Sequence, residues 1–137
     1  MSNFNIQQHA SADFTVSADA TMPVLTASGT IHIDNVEAVF QASIATHATD
    51  FGAFSLTNVG TAGSGTTVVA GPNNFDVATN GGVAITALVP STLAVVAAAK
   101  ELTDGEVLAF YWNEATTDVA SATVHVDVRY TQVTTPA

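Results

Sequence analysis

Two short segments of the sequence repeat the same pattern of residues that can do chemistry. Thr30–Asp34 reads Thr-Ile-His-Ile-Asp and Thr123–Asp127 reads Thr-Val-His-Val-Asp. Polar and apolar residues alternate, so each segment is predicted to be a β-strand with its imidazole and carboxylate on one face. Imidazole nitrogens and carboxylate oxygens bind divalent metal ions. If the two strands are neighbours in one sheet, these side chains share a face. The candidate metal ligands are then His32, Asp34, His125 and Asp127.

The same four residues have a simpler interpretation, which we favour. Outward positions on strands are usually polar, and a histidine beside an aspartate there commonly forms only a solvated cross-strand pair. We therefore expect no metal ion and no other cofactor. Arg129 alternates with Asp127 on the final segment. It is expected to form an ion pair with Asp127 or Asp34, worth about 0.2–1 kcal/mol if exposed.

No segment matches a catalytic motif. The glycine-rich stretch Gly60–Gly65 lacks the lysine of a phosphate-binding loop, and it connects strands instead of leading into a helix. The sequence contains no Gly-x-Ser-x-Gly nucleophile elbow. Asp104 and Gly105 are better explained as a turn before the apolar run that starts at Val107. We therefore predict that the protein is not an enzyme and has no catalytic residue.

One aromatic side chain is a candidate for binding sugar. In Val107–Asn113 the alternation places Trp112 on the face that also carries Phe110 and Leu108, which predicts a buried tryptophan. Tyr111 lies on the opposite face and is predicted to be exposed. A carbohydrate-binding or host-receptor-binding module, with Tyr111 stacking on a sugar ring, is therefore the alternative function.

Charge composition excludes several partners. Of 137 residues, 2 are Lys or Arg and 12 are Asp or Glu, which gives a net charge of -10. Such a chain cannot neutralise a phosphate backbone or an anionic membrane surface, so we expect neither nucleic acid nor membrane as a partner. The N-terminal residues 1–9 lack the features of a secretory signal, so synthesis in a cytoplasm is expected.

Alternating runs separated by glycine and asparagine turns extend along most of the chain. They predict an all-β protein, a jelly-roll-like antiparallel β-sandwich of about eight to ten short strands with at most one short helix. Residues 91–102 fit either that helix, capped by Ser91, or a strand through 93–97. Strands are also predicted at 39–46, 75–78 and 83–89, and Asn80-Gly81 is the strongest hairpin candidate. We divide the chain into an N-terminal arm (1–12), the sandwich (13–131) and a C-terminal tail (132–137).

The closing part of the chain resembles the last two strands of viral jelly rolls. In Leu102–Asn113 an acidic glycine turn opens an apolar strand, and Ser121–Tyr130 supplies a final alternating strand. With its short strands rich in Ala, Thr and Val, the chain is similar to tailed-bacteriophage virion structural proteins of the capsid decoration or cement type. The resemblance implies a non-enzymatic protein on the capsid exterior that forms a homo-oligomer, expected to be a trimer, and binds the major capsid protein.

Overall fold

The computed structural model describes residues 5–16, 19–47, 52–76, 79, 81–114 and 122–133. Within these ranges the chain forms nine β-strands and no α-helix. The strands are β1 (Asn5–Val16), β2 (Ala20–Thr26), β3 (Ile31–Phe40), β4 (Gly52–Asn58), β5 (Thr67–Asn74), β6 (Ser91–Leu93), β7 (Glu101–Leu102), β8 (Val107–Glu114) and β9 (Ala122–Val133).

The strands form two antiparallel sheets packed as a sandwich. The first sheet has the order β1-β9-β3-β6, with β7 also paired to β3, and the second sheet has the order β2-β8-β4-β5. The pairs are nested along the sequence: β4 with β5, β3 with β6, β2 with β8 and β1 with β9. A ribbon folded back on itself and wrapped into two sheets gives this nesting, which is the jelly-roll arrangement. The predicted fold class is confirmed.

The core lies between the two sheets and is filled by the inward positions of both. In β9 the predicted alternation places Val124, Val126 and Val128 in the core, each fully buried. Large aromatic rings fill the end of the core where the second sheet contributes Trp112 and Phe54, whose rings stack with centroids 6.1 Å apart. Aromatic pairs at such separations add to the stabilisation that their buried area provides.

A β-bulge in β3 decides which of its residues face outward. The β3–β9 register shifts between Ile33 and Asn35, which leaves Asp34 without a directly opposite partner. Before the bulge Ile31 is buried, and after it Val36 is buried, so the inward parity changes from odd to even numbers. The extra residue of a bulge rotates the following side chains to the other face of the sheet.

Three predicted strands differ from the structure. The strand expected at 39–46 ends at Phe40, and only Ile44 beyond it forms an isolated bridge, with Ile85. Neither 83–89 nor the described residues of 75–78 form a strand, and Val77 and Ala78 lie outside the described residues. Their apolar alternation is that of a strand, but among the described residues only the single Ile44–Ile85 bridge pairs with them, and a strand requires a ladder of such hydrogen bonds.

The uncertain segment 91–102 contains no helix. Its first three residues form β6 at the edge of the first sheet, Val95 bridges to Ala70, and a turn at 97–99 precedes β7. Asn80 of the predicted hairpin lies outside the described residues, and no strand directly flanks Gly81.

The sandwich extends past the predicted domain boundaries. Residues 5–12 belong to β1 and pair with β9, and Gln132 and Val133 belong to β9 itself. Residues 1–4 and 134–137 of the predicted arm and tail lie outside the described residues.

Candidate functional site

The two repeated segments are neighbours in the first sheet, which is the condition that the metal hypothesis required. Their antiparallel register, however, places His32 opposite Thr131 and His125 opposite Val39. Positions 32 and 39 are seven residues apart on β3, which corresponds to about 20 Å along a strand. The four candidate metal ligands are therefore not brought together. Across the described residues no group of three or more His, Cys, Asp or Glu side chains is placed to hold a metal ion.

Each of the three histidines on this outer face lies next to a carboxylate from a neighbouring strand. The nitrogen–oxygen distances are 2.5 Å for His125–Asp13, 2.9 Å for His32–Glu101 and 3.6 Å for His9–Asp127. These are cross-strand pairs on an exposed sheet face, which is the arrangement of the simpler interpretation.

Arg129 pairs with a different acid from the two predicted. Its Nη2 lies 3.7 Å from Glu37 Oε1, whereas Asp34 accepts a hydrogen bond from the Thr131 hydroxyl. The register explains the choice, because Arg129 stands opposite Asn35 and Glu37 is therefore its diagonal neighbour. The expectation of Asp127 or Asp34 as the partner was wrong because it ignored the direction of β3 and the bulge at Asp34.

The outer face of the first sheet, which we call the charged face, carries most of the ionisable side chains that the structure describes. Five carboxylates there stand against one arginine and three histidines. They are His9, Asp13, His32, Asp34, Glu37, Glu101, His125, Asp127 and Arg129.

The outer face of the second sheet, which we call the neutral face, has a different composition. Alternation from the buried Trp112 and Phe110 identifies its outward positions. These are Thr21, Pro23, Thr26, Ala53, Ser55, Thr57, Val68, Asn74, Val107, Ala109, Tyr111 and Asn113. None of these residues is an acid, a lysine, an arginine or a histidine. Across the described strand residues, the first sheet therefore presents a charged outer face and the second sheet an uncharged one.

Tyr111 lies on the neutral face and is 37% exposed, whereas Trp112 is fully buried. Both positions agree with the sequence prediction. The tyrosine borders a depression of about 300 Å³ whose other walls come from β2, β4, β5 and the loop between β4 and β5. The lining residues are Thr21, Thr57, Val59, Gly65, Thr66, Val68 and Tyr111.

The predicted turn before β8 is held by its own acids. Asp104 Oδ1 accepts a hydrogen bond from the Gly29 amide at 2.8 Å. Glu106 accepts hydrogen bonds from the backbone N–H and the hydroxyl of Thr103, at 2.7 and 2.9 Å. It also accepts one from the side-chain Nδ2 of Asn58 at 3.1 Å. These bonds, first the backbone N–H of Thr103, hold the pKa of Glu106 below its ordinary value. These two acids stabilise the turn.

A second depression, of about 450 Å³, was not foreseen from the sequence. It lies between the end of β5 and the segment 81–92. Two exposed apolar side chains line it, Val83 (72% exposed) and Val89 (51%), and the exposed Leu88 (73%) precedes Val89 in the chain. Leu88 adopts φ = 63°, a left-handed conformation that is rare for a bulky residue. Its amide donates to the Phe40 carbonyl at 2.8 Å, which helps to hold that conformation.

Comparison with solved structures shows a similarity of fold. The chain is similar to a chain in the solved structure of the cyanophage Pam1 capsid asymmetric unit, with a TM-score of 0.55 and 14% sequence identity. The alignment covers 93% of this chain and 86% of that one. No protein-family model matches the sequence, and no curated protein is similar to it. At this identity the likeness is one of fold.

The described residues also include no helix that is long and apolar enough to span a membrane.

Proposed function

We propose that this chain is a non-enzymatic structural protein of a phage virion that decorates the capsid exterior and stabilises the capsid. It acts as a homo-oligomer, with a trimer as the expected state, and its other partner is the major capsid protein. The observation that carries the proposal is the contrast between the charged face and the neutral face, on a jelly-roll fold similar to that of a chain in a phage capsid asymmetric unit.

The neutral face is suited to lie against the capsid. Its exposed side chains carry no charge and, apart from Tyr111, are short, so burying them removes little bound water and loses little side-chain entropy. Ser55, Thr57 and Ala109 are already buried within the chain itself. The exposed remainder, such as Thr21 and Tyr111, is therefore held on a rigid surface, and a preorganised surface loses less entropy on binding.

The charged face is suited to point away from the capsid. Its carboxylates outnumber its arginine five to one, as the residues named above show. A negative outer surface keeps particles apart and repels nucleic acid released by lysis. This orientation buries the uncharged side of the molecule and leaves the charged side in solvent, which is the arrangement with the smaller desolvation cost.

Matched substitutions on the two faces test the proposal. Thr21→Glu adds a carboxylate to the neutral face, and Thr123→Glu adds the same group to the charged face; both threonines are exposed on strands. Capsids of the virus that encodes this chain, purified without it, are mixed with each variant and sedimented. Wild type and T123E should co-sediment and raise the temperature at which the capsids break, and T21E should bind at least ten times more weakly.

Two results would contradict the proposal. If wild-type protein fails to bind the capsids, the decoration role is wrong. If T21E and T123E bind equally well, the protein does not dock through its neutral face. Electron cryomicroscopy of the decorated capsid then shows directly which face is buried.

A second candidate function is a carbohydrate-binding or host-receptor-binding module. The observation that favours it is the exposed Tyr111 ring beside the 300 Å³ depression, since aromatic rings stack on the apolar faces of sugars. A glycan array probed with and without calcium tests it, with Tyr111→Ala as the control. Binding that Y111A abolishes would favour this function, and a blank array for the wild type would exclude it.

A further inference from the structure

β1 is an edge strand without the features that usually protect a sheet edge. It ends the order of the first sheet, and no described strand pairs with its other side. It runs for 12 residues, pairs with β9 without a register shift, and contains neither proline nor lysine. An exposed, regular edge of this kind presents a row of free N–H and C=O groups that can pair with another chain.

The other three sheet edges are protected. β2 carries Pro23 and a register shift after it. β5 carries Pro72 and two register shifts, and its Ala70 is bridged by Val95. β6 has only three residues. Short strands, prolines and bulges are the devices by which sheet edges avoid pairing with other molecules. The contrast singles out β1.

The outward side chains of β1 complement one another when two copies run antiparallel. Among its described side chains, Asp13 is the only acid and His9 is the only histidine. They stand two residues on either side of Ser11. If Ser11 of one copy lies opposite Ser11 of the other, each His9 stands opposite Asp13 of the second copy. In the next registers on either side, His9 of one copy would stand opposite Ser11 or Thr15 of the other, and both His9–Asp13 contacts would be lost.

Both groups can make this additional contact while keeping their present neighbours. Asp13 uses one carboxylate oxygen for His125 at 2.5 Å, and a carboxylate can accept several hydrogen bonds. His9 Nδ1 lies 3.6 Å from Asp127, which is beyond hydrogen-bond distance, so its ring N–H can donate elsewhere. The side chain of His9 is 59% exposed and that of Asp13 is 74% exposed, so a second copy can reach both.

We propose that two copies of this chain join through their β1 strands, antiparallel about a two-fold axis at Ser11, so that their first sheets form one continuous sheet. Backbone hydrogen bonds along the two free edges supply the attraction, as in β-strand addition generally, and the His9–Asp13 contacts fix the register. The inference goes beyond the proposed function and requires no capsid. A three-fold contact elsewhere on the surface is compatible with it, because the two contacts use different parts of the molecule.

Single cysteines introduced into this cysteine-free chain test the proposal. Directly opposite residues have Cβ atoms about 4.5–5.5 Å apart, close to the distance that a disulfide spans. Ser11→Cys should therefore give a disulfide-linked dimer on mild oxidation of the purified protein, read on a non-reducing gel.

Gln7→Cys and Thr15→Cys are the matched controls, because both lie on the same face of β1 as Ser11. In the proposed register, position 7 is opposite position 15 of the other copy, and two cysteines at position 7 are about 27 Å apart. Neither variant should cross-link alone, whereas a mixture of Q7C and T15C should give the mixed dimer. The proposal is overturned if S11C remains monomeric after oxidation. It is also overturned if S11C, Q7C and T15C each cross-link alone to the same extent, because the disulfides would then come from random collisions and not from one fixed strand register.

Proline substitutions provide a test without cysteine. Successive residues of an edge strand direct their N–H groups alternately to the neighbouring strand and to the free edge. Of Ala10→Pro and Ser11→Pro, one therefore keeps the β1–β9 ladder intact and removes a donor from the free edge. The variant that keeps the β1–β9 ladder is identified by its higher melting temperature. In analytical ultracentrifugation its dimer should dissociate with a dissociation constant at least ten times that of wild type. A dimer of unchanged strength overturns the proposal. Capsid binding, tested separately with T21E, has no part in these outcomes.

Discussion

Arg129 of β9 reaches diagonally across the first sheet to Glu37 of β3, with 3.7 Å between Nη2 and Oε1. The same carboxylate oxygen accepts a hydrogen bond from the Asn35 side chain at 3.3 Å. Arg129 Nε is buried and has no hydrogen-bond partner among the described residues. The arginine is therefore only partly compensated where it lies, which limits how much this ion pair can stabilise the fold.

A double-mutant cycle measures that contribution. We expect Arg129→Gln and Glu37→Gln to show a coupling energy of about 0.5 kcal/mol, which 1 M salt reduces, because the pair is partly exposed. The free energy of unfolding from urea titrations gives the coupling. The matched cycle of Arg129→Gln with Asp127→Asn should give a smaller coupling, because Asp127 is not the acid that Arg129 contacts. A larger coupling with Asp127 would contradict the pairing in the structure.

The second prediction concerns Glu106, which fastens the turn before β8. Glu106→Gln keeps an oxygen that can accept from Thr103 but removes the charge. We expect a loss of about 1 kcal/mol at pH 7, at the low end for charge-assisted hydrogen bonds because the carboxylate is half exposed. Thermal unfolding measures this as a melting temperature lower by about 3–5 °C.

The pH dependence of that loss has a definite sign. The hydrogen bonds from Thr103 and Asn58 lower the pKa of Glu106 in the folded protein below its value of 4.5 in the unfolded chain. Its contribution is therefore complete above pH 4.5 and is lost as the pH falls through the folded pKa. The difference between wild type and E106Q should shrink below pH 4.5. Thr103→Ser, which retains the hydroxyl, should follow the wild-type curve, and an E106Q difference that grows in acid would refute the assignment.

Leu88 supplies the third prediction. Its left-handed backbone is strained for leucine and relaxed for glycine, and its side chain is 73% exposed, so little apolar burial is lost on truncation. We expect Leu88→Gly to raise the free energy of unfolding by about 0.5–1 kcal/mol. Val89→Gly is the control, because Val89 is also exposed but is not left-handed, so glycine there should destabilise the protein. If both variants are destabilised equally, no strain resides at Leu88.

The repeated segments suggested the pairing of β3 with β9 but not the positions of the histidines relative to each other. Matching segments suggest that two strands share a sheet. Antiparallel strands run in opposite directions, however, so matching residues lie opposite each other only when the register pairs the two segments directly, and here it does not. The bulge at Asp34 also reverses which of the following residues of β3 point into the core and which point outward. Register depends on contacts between strands, and a single sequence does not contain it.

Two other differences have local physical causes. The polar composition of residues 1–12 favours an arm, and the small inward side chains Ala10 and Ala12 give β1 little apolar alternation. Pairing with β9, not burial of large side chains, makes this segment a strand. Conversely, the segment 83–89 has the apolar alternation of a strand, but among the described residues it forms only the single Ile85–Ile44 bridge, and its side chains Val83 and Leu88 are left in solvent.

The last prediction concerns Trp112, the only tryptophan of the chain. Its indole is fully buried against Phe54, Phe75 and Phe40, with ring centroids 6.1, 5.5 and 6.0 Å away. Because no water reaches the ring, its fluorescence should lie at short wavelength, resist quenching by iodide and shift to the red only on unfolding.

Trp112→Ala should lower the free energy of unfolding by about 3–5 kcal/mol, since the neighbouring rings cannot close the cavity, and Trp112→Phe should lower it less. Tyr111→Ala, one residue along on the exposed face, is the control and should change stability by under about 1 kcal/mol. Strong quenching of the native tryptophan by iodide would show that the core is packed differently from the structure.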